Sequence, residues 1–269
     1  MPLPGGLCPV DYRSRAAWGA DESFRHGDPP QYFPAQTITV HHSVTPNNPP
    51  DPVAVVKAIY NTDTHADGYD DLGYQLLIDH NGVVYEGRWT GTDPWPVFSP
   101  DSSALPRVVT GAHVGGYNSG NIGVCLIGDF HNFPGVVPTE AARQALVTVL
   151  AWLCGICGID PLATVPYVNP VDPTHVWSVK GVCGHQDWNN APGVANNTAC
   201  PGQNFVPFLS QVRTAVAAAV AELPLPRRRP APTSTPGLPG DSGRPAPTAP
   251  VTPDGGDRPP ATDGPPPMP

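Results

Sequence analysis

Runs of apolar residues along the chain predict a small set of strands. The hairpin is the strongest of them, because two apolar runs flank Asn81-Gly82 and this dipeptide favours a tight two-residue turn. Strands that are apolar throughout are typical of the buried centre of a sheet, and β-branched residues favour the extended backbone. The predicted strands are 37–43, the hairpin 73–88, the central strand 121–130 and a short strand at 179–185.

Apolar residues at helical spacing predict three helices, over 51–65, 139–158 and 204–220. Asp51 is the expected N-cap of the first, with Pro52 at its first position. Residues 89–110 have a mixed, turn-rich composition and are expected to form a long surface loop. Strands that alternate with helices predict an α/β fold, a central mixed sheet of five or six strands flanked by helices.

Proline divides the chain into two parts. Residues 224–269 contain 16 prolines among 46 residues and almost no large apolar side chains. Such a segment buries too little surface to offset the entropy of ordering, so we expect a disordered, Pro-rich tail at 224–269. The folded domain is then expected over residues 1–223.

Charge and hydropathy limit the partners of this domain. Residues 1–223 hold 9 Lys and Arg against 19 Asp and Glu, a formal charge of −10, which argues against nucleic acid as a partner. The chain has no run of 18 or more apolar residues, so no membrane span is expected. The first residues lack the charged start and apolar core of a signal peptide. Export is therefore expected after removal of a signal or by another route, such as release on phage lysis.

Three short motifs carry candidate chemistry: VHHS at 40–43, GHQD at 184–187 and TACPG at 198–202. Two histidines and a cysteine supply two nitrogen ligands and one sulfur ligand, and three protein ligands with an open fourth position are typical of catalytic zinc. The residues alone leave a second interpretation open, namely a hydrogen-bonded histidine pair and an ordinary buried cysteine. Cys200 lies 15 residues after His185, so a loop has to bring it back.

Taken in order, the motifs resemble the type-two N-acetylmuramoyl-L-alanine amidases, which include the peptidoglycan recognition proteins and the amidase-type bacteriophage lysozymes. The resemblance begins at SRAAWGA and ends at ACPGQNFVPFL. Between them it passes through TVHHS, LGYQLLIDHNGVVYEGR, GAHVGGYNSGNIGVCLIGDF, PTEAARQAL and GHQD. It implies the zinc amidase fold and one Zn²⁺ per chain, held by His41, His185 and Cys200. His42 is expected to be structural, because neighbouring side chains of a strand point to opposite faces.

The resemblance also assigns residues around the metal. Tyr74 is expected to be catalytic and to hydrogen-bond the attacking water or the oxyanion. Thr198 is expected to donate to the tetrahedral intermediate, with a loop-stabilising turn as the alternative. His113 and, more weakly, Asn118 are expected to contact substrate, with a structural hydrogen bond as the alternative for His113. The chain has no HExxH glutamate, so the general base is left open.

A structural role is expected for one further histidine and for the remaining five cysteines. His65 is expected to be structural, and Cys125 to be a buried thiol. Cys154 and Cys157 are expected to form a disulfide or to pack as two thiols. Cys8 is a candidate partner for Cys183 in an oxidising compartment.

The resemblance implies hydrolysis of the amide between N-acetylmuramic acid and L-alanine in peptidoglycan, in cell-wall lysis or remodelling. The alternative is a non-catalytic peptidoglycan sensor of the same fold, and such relatives lose a zinc ligand, often the cysteine. Muropeptides are the expected partners and a monomer the expected state. The expected location is the cell wall, for a secreted or phage-encoded protein. Trp89 and the longer loop after EGR leave the stem-peptide preference open.

Overall fold

The computed structural model describes residues 10–91, 96–100, 106–194 and 197–223, and a six-stranded sheet lies at its centre. Its strand order is β1-β5-β4-β7-β3-β10, and every neighbouring pair is parallel except β4 and β5. Two further two-stranded sheets pair β2 with β6 and β8 with β9. The strands are β1 Tyr12–Arg13, β2 Tyr32–Pro34, β3 Thr37–His42, β4 Leu76–Ile78, β5 Val84–Glu86, β6 Arg107–Val109, β7 Asn121–Leu126, β8 Thr164–Val168, β9 Val176–Lys180 and β10 Val182–Gly184.

The predicted helices form, with boundaries set by local signals. In α2, Pro52–Asn61, the Asp51 side chain caps the first turn by accepting from Ala54 N at 3.1 Å. Thr139 caps α3 in the same way, through Ala142 N at 3.1 Å. The last regular helix begins only after a 3₁₀ turn at Val206–Phe208, because Pro207 belongs to a first turn. The α-helices within the described residues are α1 Arg15–Trp18, α2 Pro52–Asn61, α3 Glu140–Cys157 and α4 Leu209–Glu222.

Helices cover both faces of the main sheet. Alternate strand residues such as Ile38, Val40 and Val124 pack against α3 and α4 on one face. The side chains between them, such as Leu77 and Cys125, pack against α2 on the other. The predicted fold, a mixed sheet flanked by helices, is thus confirmed, and so is the hairpin of β4 and β5. Gly82 in its turn has φ of 81°, a left-handed conformation that glycine adopts without strain.

Among the described residues, only α3 has the length and apolar composition that crossing a membrane requires. Half of it is buried inside the protein, where Leu146, Val149 and Leu153 contact the sheet and α4. A core helix has the same composition, so this feature is weak support for a membrane span.

Two predicted segments differ in the structure. Residues 89–110 are not merely a surface loop, because Val97 and Val108 are buried and β6 pairs with β2. The single strand expected at 179–185 is split at Gly181, where a Cβ would lie 2.2 Å from Asp160 O. The part before Gly181 joins a hairpin with β8, and the part after it joins the main sheet.

Two predictions fall outside the described residues. The predicted Pro-rich tail at 224–269 is one of them, so the tail and the domain boundary after 223 stay predictions. Cys8 also lies outside, so its pairing with Cys183 stays a prediction. Cys154 and Cys157 are thiols in the structure, which favours packing over the disulfide.

Candidate metal centre

Two of the three predicted ligands stand at the ends of adjacent parallel strands. His41 is the penultimate residue of β3, and its side chain points to the face opposite α3 because its neighbours Val40 and His42 point the other way. His185 follows β10 directly and opens a 3₁₀ turn that ends at Trp188. Because β3 and β10 are parallel, their carboxyl ends bring the two imidazoles together, with ring centroids 4.7 Å apart.

The third predicted ligand arrives on the loop after this 3₁₀ turn. Gln186 N donates to Cys200 O at 2.8 Å, which fastens the loop beside His185. The backbone N–H of His42 donates to Cys200 Sγ at 3.3 Å. A donor at the sulfur stabilises the thiolate, the form that binds metals.

The ligand atoms of His41, His185 and Cys200 lie within 4.8 Å of one another. His41 Nδ1 and Cys200 Sγ are 3.6 Å apart. In a tetrahedral zinc site with ordinary Zn–N and Zn–S bonds, a nitrogen and a sulfur ligand are also about 3.6 Å apart. The donor set and the distance between His41 Nδ1 and Cys200 Sγ are therefore compatible with zinc.

Burial keeps the imidazoles neutral. It lowers the pKa of His41 well below its usual value, and the neighbouring histidines lower it further. The pKa of His185 falls to about 4 and that of His113 to about 3, again chiefly through burial. Neutral imidazole is the form that coordinates a metal, so these nitrogens are available at neutral pH without proton loss.

Tyr74 lies beside the candidate ligands, just before β4. Its ring centroid is 5.1 Å from that of His41. Burial raises the pKa of its phenol well above the usual value, and the thiols of Cys125 and Cys200 raise it further. At neutral pH the phenol is protonated, so it is available as a hydrogen-bond donor rather than as a base.

Thr198 is held in place from two sides. Its backbone exchanges two hydrogen bonds with the side chain of Asn189, each 2.9 Å long. Its hydroxyl accepts from Cys200 N at 3.0 Å, which is a loop-stabilising turn. Since an accepting hydroxyl still carries its own proton, the same group keeps a donor for an oxyanion.

His113 and Asn118 are engaged within the protein. The ring of His113 is buried and lies between His41, at 3.1 Å from its Nδ1, and Asn121 O, at 3.2 Å from its Nε2. Asn118 Oδ1 accepts from the backbone N–H groups of His113 and Val114, both at 2.8 Å. Contact of either side chain with a substrate stays a prediction.

The residues expected to be structural contribute no side chain to the candidate ligand set. His42 points to the other face and accepts from Phe130 N through Nδ1 at 3.2 Å. His65 lies beside Thr64 and packs edge-on against Phe24. Cys125 is fully buried, as expected, and burial raises its pKa well above the usual value.

Sequence reasoning missed two residues that shape the site. Asn189 fixes Thr198, but in the sequence it appears only as part of a polar run after GHQD. Asp63 is buried in the π-helical turn after α2, and its Oδ2 accepts from Gly73 N, next to Tyr74, at 2.8 Å. No local pattern marks either residue, because both act through contacts distant in sequence.

A family model described as N-acetylmuramoyl-L-alanine amidase matches residues 31–203 of the chain. An N-acetylmuramoyl-L-alanine amidase of Sus scrofa is 32% identical over 146 residues, which are 52% of this chain and 20% of that protein. Peptidoglycan-recognition protein 1 of Holotrichia diomphalia is 29% identical over 148 residues, which are 54% of this chain and 64% of that protein. The chain thus spans less than two thirds of the length of either relative.

Solved structures support the same fold. Drosophila peptidoglycan recognition protein SD superposes with a TM-score of 0.52 at 20% identity, covering 75% of this chain and 94% of that chain. Peptidoglycan recognition protein LE, solved with tracheal cytotoxin, gives a TM-score of 0.52 at 19% identity, covering 75% and 93%. At these identities the likeness concerns the fold alone.

Proposed function

The chain belongs to the N-acetylmuramoyl-L-alanine amidase family, and from this premise we propose that it is a zinc-dependent hydrolase of peptidoglycan. The bond cleaved is the amide between the lactyl group of N-acetylmuramic acid and L-alanine of the stem peptide. One observation carries the proposal: the ligand atoms of His41, His185 and Cys200, a donor set typical of zinc, lie within 4.8 Å of one another.

These three residues would hold the zinc, leaving one coordination position open. A zinc ion there would act as a Lewis acid toward the scissile carbonyl and the attacking water. Cys200 supplies the anionic ligand, and the N–H of His42 supports its charge. The neutral imidazoles of His41 and His185 add no charge, so the site keeps a net positive character that favours a developing oxyanion.

Tyr74 and Thr198 are the proposed catalytic residues. The raised pKa of Tyr74 keeps its phenol protonated, which suits a donor to the oxyanion. Cys200 N donates a hydrogen bond to the Thr198 hydroxyl and so restricts its orientation. The hydroxyl proton therefore points away from Cys200 N. Two donors that are already in position before the reaction stabilise the negative charge that develops on the carbonyl oxygen in the transition state.

Muropeptides of the cell wall are the proposed partners, for a monomeric enzyme that is secreted or phage-encoded. A non-catalytic peptidoglycan sensor is the alternative, and the similarity to a peptidoglycan recognition protein favours it. The complete ligand set argues for the enzyme, because binding of peptidoglycan alone does not need a thiolate beside two imidazoles.

Digestion of purified cell wall, followed by mass spectrometry of the new ends, tests the proposal. We expect peptides with a free L-alanine amine, and about one zinc per chain. Cys200→Ala removes the anionic ligand, so zinc is lost and hydrolysis falls by at least about 10³-fold. Cys183→Ala is the matched control, because Cys183 is an equally buried thiol that contacts Thr39 and not the ligands.

The outcomes separate the two candidate functions. Wild-type protein that releases no free L-alanine amine, yet pulls down cell wall as well as Cys200→Ala does, supports the sensor. Equal loss of hydrolysis in Cys183→Ala would show that removal of any buried thiol damages the fold, and the ligand assignment would then lose its support.

A further inference from the structure

We propose that His113 is a positioning residue for His41, which it holds in the tautomer and orientation that a metal requires. This proposal rests on the metal site of the proposed function. It assigns His113 a role inside the protein instead of contact with substrate. The carrying observation is a chain of two hydrogen bonds that runs from a backbone carbonyl through His113 to His41.

The chain begins at the carbonyl oxygen of Asn121, which lies 3.2 Å from His113 Nε2. A carbonyl oxygen only accepts, so Nε2 of His113 carries the proton. In a neutral imidazole the other nitrogen then has the lone pair. His113 Nδ1 is therefore an acceptor, and it faces His41 Nε2 at 3.1 Å.

This acceptor fixes the tautomer of His41. The proton of His41 lies on Nε2, where it is donated to His113, and Nδ1 is left with its lone pair. Nδ1 is the atom that lies 3.6 Å from Cys200 Sγ, among the candidate ligands. The opposite tautomer would direct a proton into the metal position. The backbone of β7 thus determines, through His113, which nitrogen of His41 is free to bind.

The fold confines the His113 ring. A Cβ on Gly123 would lie 2.7 Å from His113 Cδ2, and a Cβ on Gly111 would lie at the same distance. Both glycines leave a slot in which the ring fits without a side chain beside it. Asn118 fixes the backbone of the loop by accepting from His113 N and Val114 N. A ring held at both nitrogens and in such a slot has little freedom to turn toward a substrate.

Two variants of the full chain separate positioning from packing. His113→Leu introduces an apolar side chain of similar size and removes the acceptor, whereas His113→Gln restores an acceptor and a donor. Competition with a chromophoric zinc chelator measures the affinity. We expect His113→Leu to bind Zn²⁺ about 10- to 100-fold more weakly, and His113→Gln to recover most of that loss. Cys183→Ala should bind zinc as wild type does.

A second measurement needs no metal. Nitrogen-15 NMR of the metal-free wild type should show the proton of His41 on Nε2, and His113→Leu should show a mixture of both tautomers. A proton on Nδ1 in the wild type would overturn the proposal even if His113→Leu failed to fold. Wild-type zinc affinity in a folded His113→Leu, together with weaker muropeptide binding, would establish the substrate role instead. A wild type that binds no zinc would refute the proposed function, and the His41 tautomer would still be measurable.

Discussion

Replacing Asp63 by asparagine tests whether burial controls the protonation of a carboxyl that hydrogen-bonds the residue before Tyr74. Asp63 is 8% exposed, and its Oδ2 accepts from Gly73 N at 2.8 Å. Burial raises its pKa from 3.8 to about 7, with Asp67 and Asp71 adding to the rise while Gly73 N and Arg88 oppose it. The substituted amide would keep an acceptor for Gly73 N and would carry no charge at any pH.

The sign of the effect follows from the raised pKa. The folded chain holds the proton more tightly than the unfolded chain, so the stability contributed by Asp63 is lost as the pH rises from 3.8 through 7. With these two values, ionisation disfavours the folded state by about 4 kcal/mol at pH 8 and by about 2 kcal/mol at pH 5. The difference in unfolding free energy between Asp63→Asn and wild type should therefore shift by roughly 2 to 3 kcal/mol in favour of the variant between these pH values. Any structural cost of the asparagine cancels in this comparison.

Urea unfolding of the metal-free chains at pH 5 and pH 8 measures the shift. Asp79→Asn is the control, because Asp79 is also buried but accepts three hydrogen bonds, from Asn81 N, Val83 N and the Tyr85 hydroxyl. This variant should be less stable than wild type, because an amide offers one acceptor oxygen in place of the two of the carboxylate. A free-energy difference for Asp63→Asn that stays constant within about 0.5 kcal/mol would refute the reasoning, because the carboxyl would then titrate equally in both states.

Two further predictions concern catalysis and the tail. Tyr74→Phe should keep zinc at the wild-type level and lose about 10²-fold in kcat on muropeptides, since one oxyanion donor is removed; loss of zinc in this variant would instead place Tyr74 among the residues that build the metal site. Truncation after Leu223 should leave Tm and activity on soluble muropeptides nearly unchanged, because the Pro-rich segment has few apolar residues to bury. A loss of stability above about 1 kcal/mol would show that the tail docks on the domain.

Local signals predict the main sheet and its helices well. The turn at Asn81-Gly82, the cap at Asp51 and the cap at Thr139 act within a few residues, so the sequence reveals them without knowledge of the fold. The hairpin of β8 and β9 has no such signal, because Pro166 interrupts its strand pattern. Contacts distant in sequence support it, among them the hydrogen bond from the Tyr167 hydroxyl to Ser119 O.

The candidate site shows the same contrast between features that local sequence reveals and features that depend on contacts distant in sequence. Motif resemblance finds the residue types, His41, His185 and Cys200, since these follow recognisable strands and turns. Spacing cannot supply their geometry, because 15 residues separate His185 from Cys200. The return of Cys200 depends on the bond from Gln186 N to Cys200 O, and on Asn189, which holds the preceding Thr198.

His113 is found by motif resemblance, whereas the positioning role proposed for it comes from tertiary contacts. The resemblance of GAHVGGYN to the family places this histidine near the substrate, with a structural hydrogen bond as the alternative. The direction of its ring is set instead by Asn121 O and by the absence of side chains at Gly111 and Gly123. Each of these is a tertiary contact with another backbone segment. The loop therefore places the imidazole beside His41, a candidate metal ligand, in the position that the proposed positioning role requires.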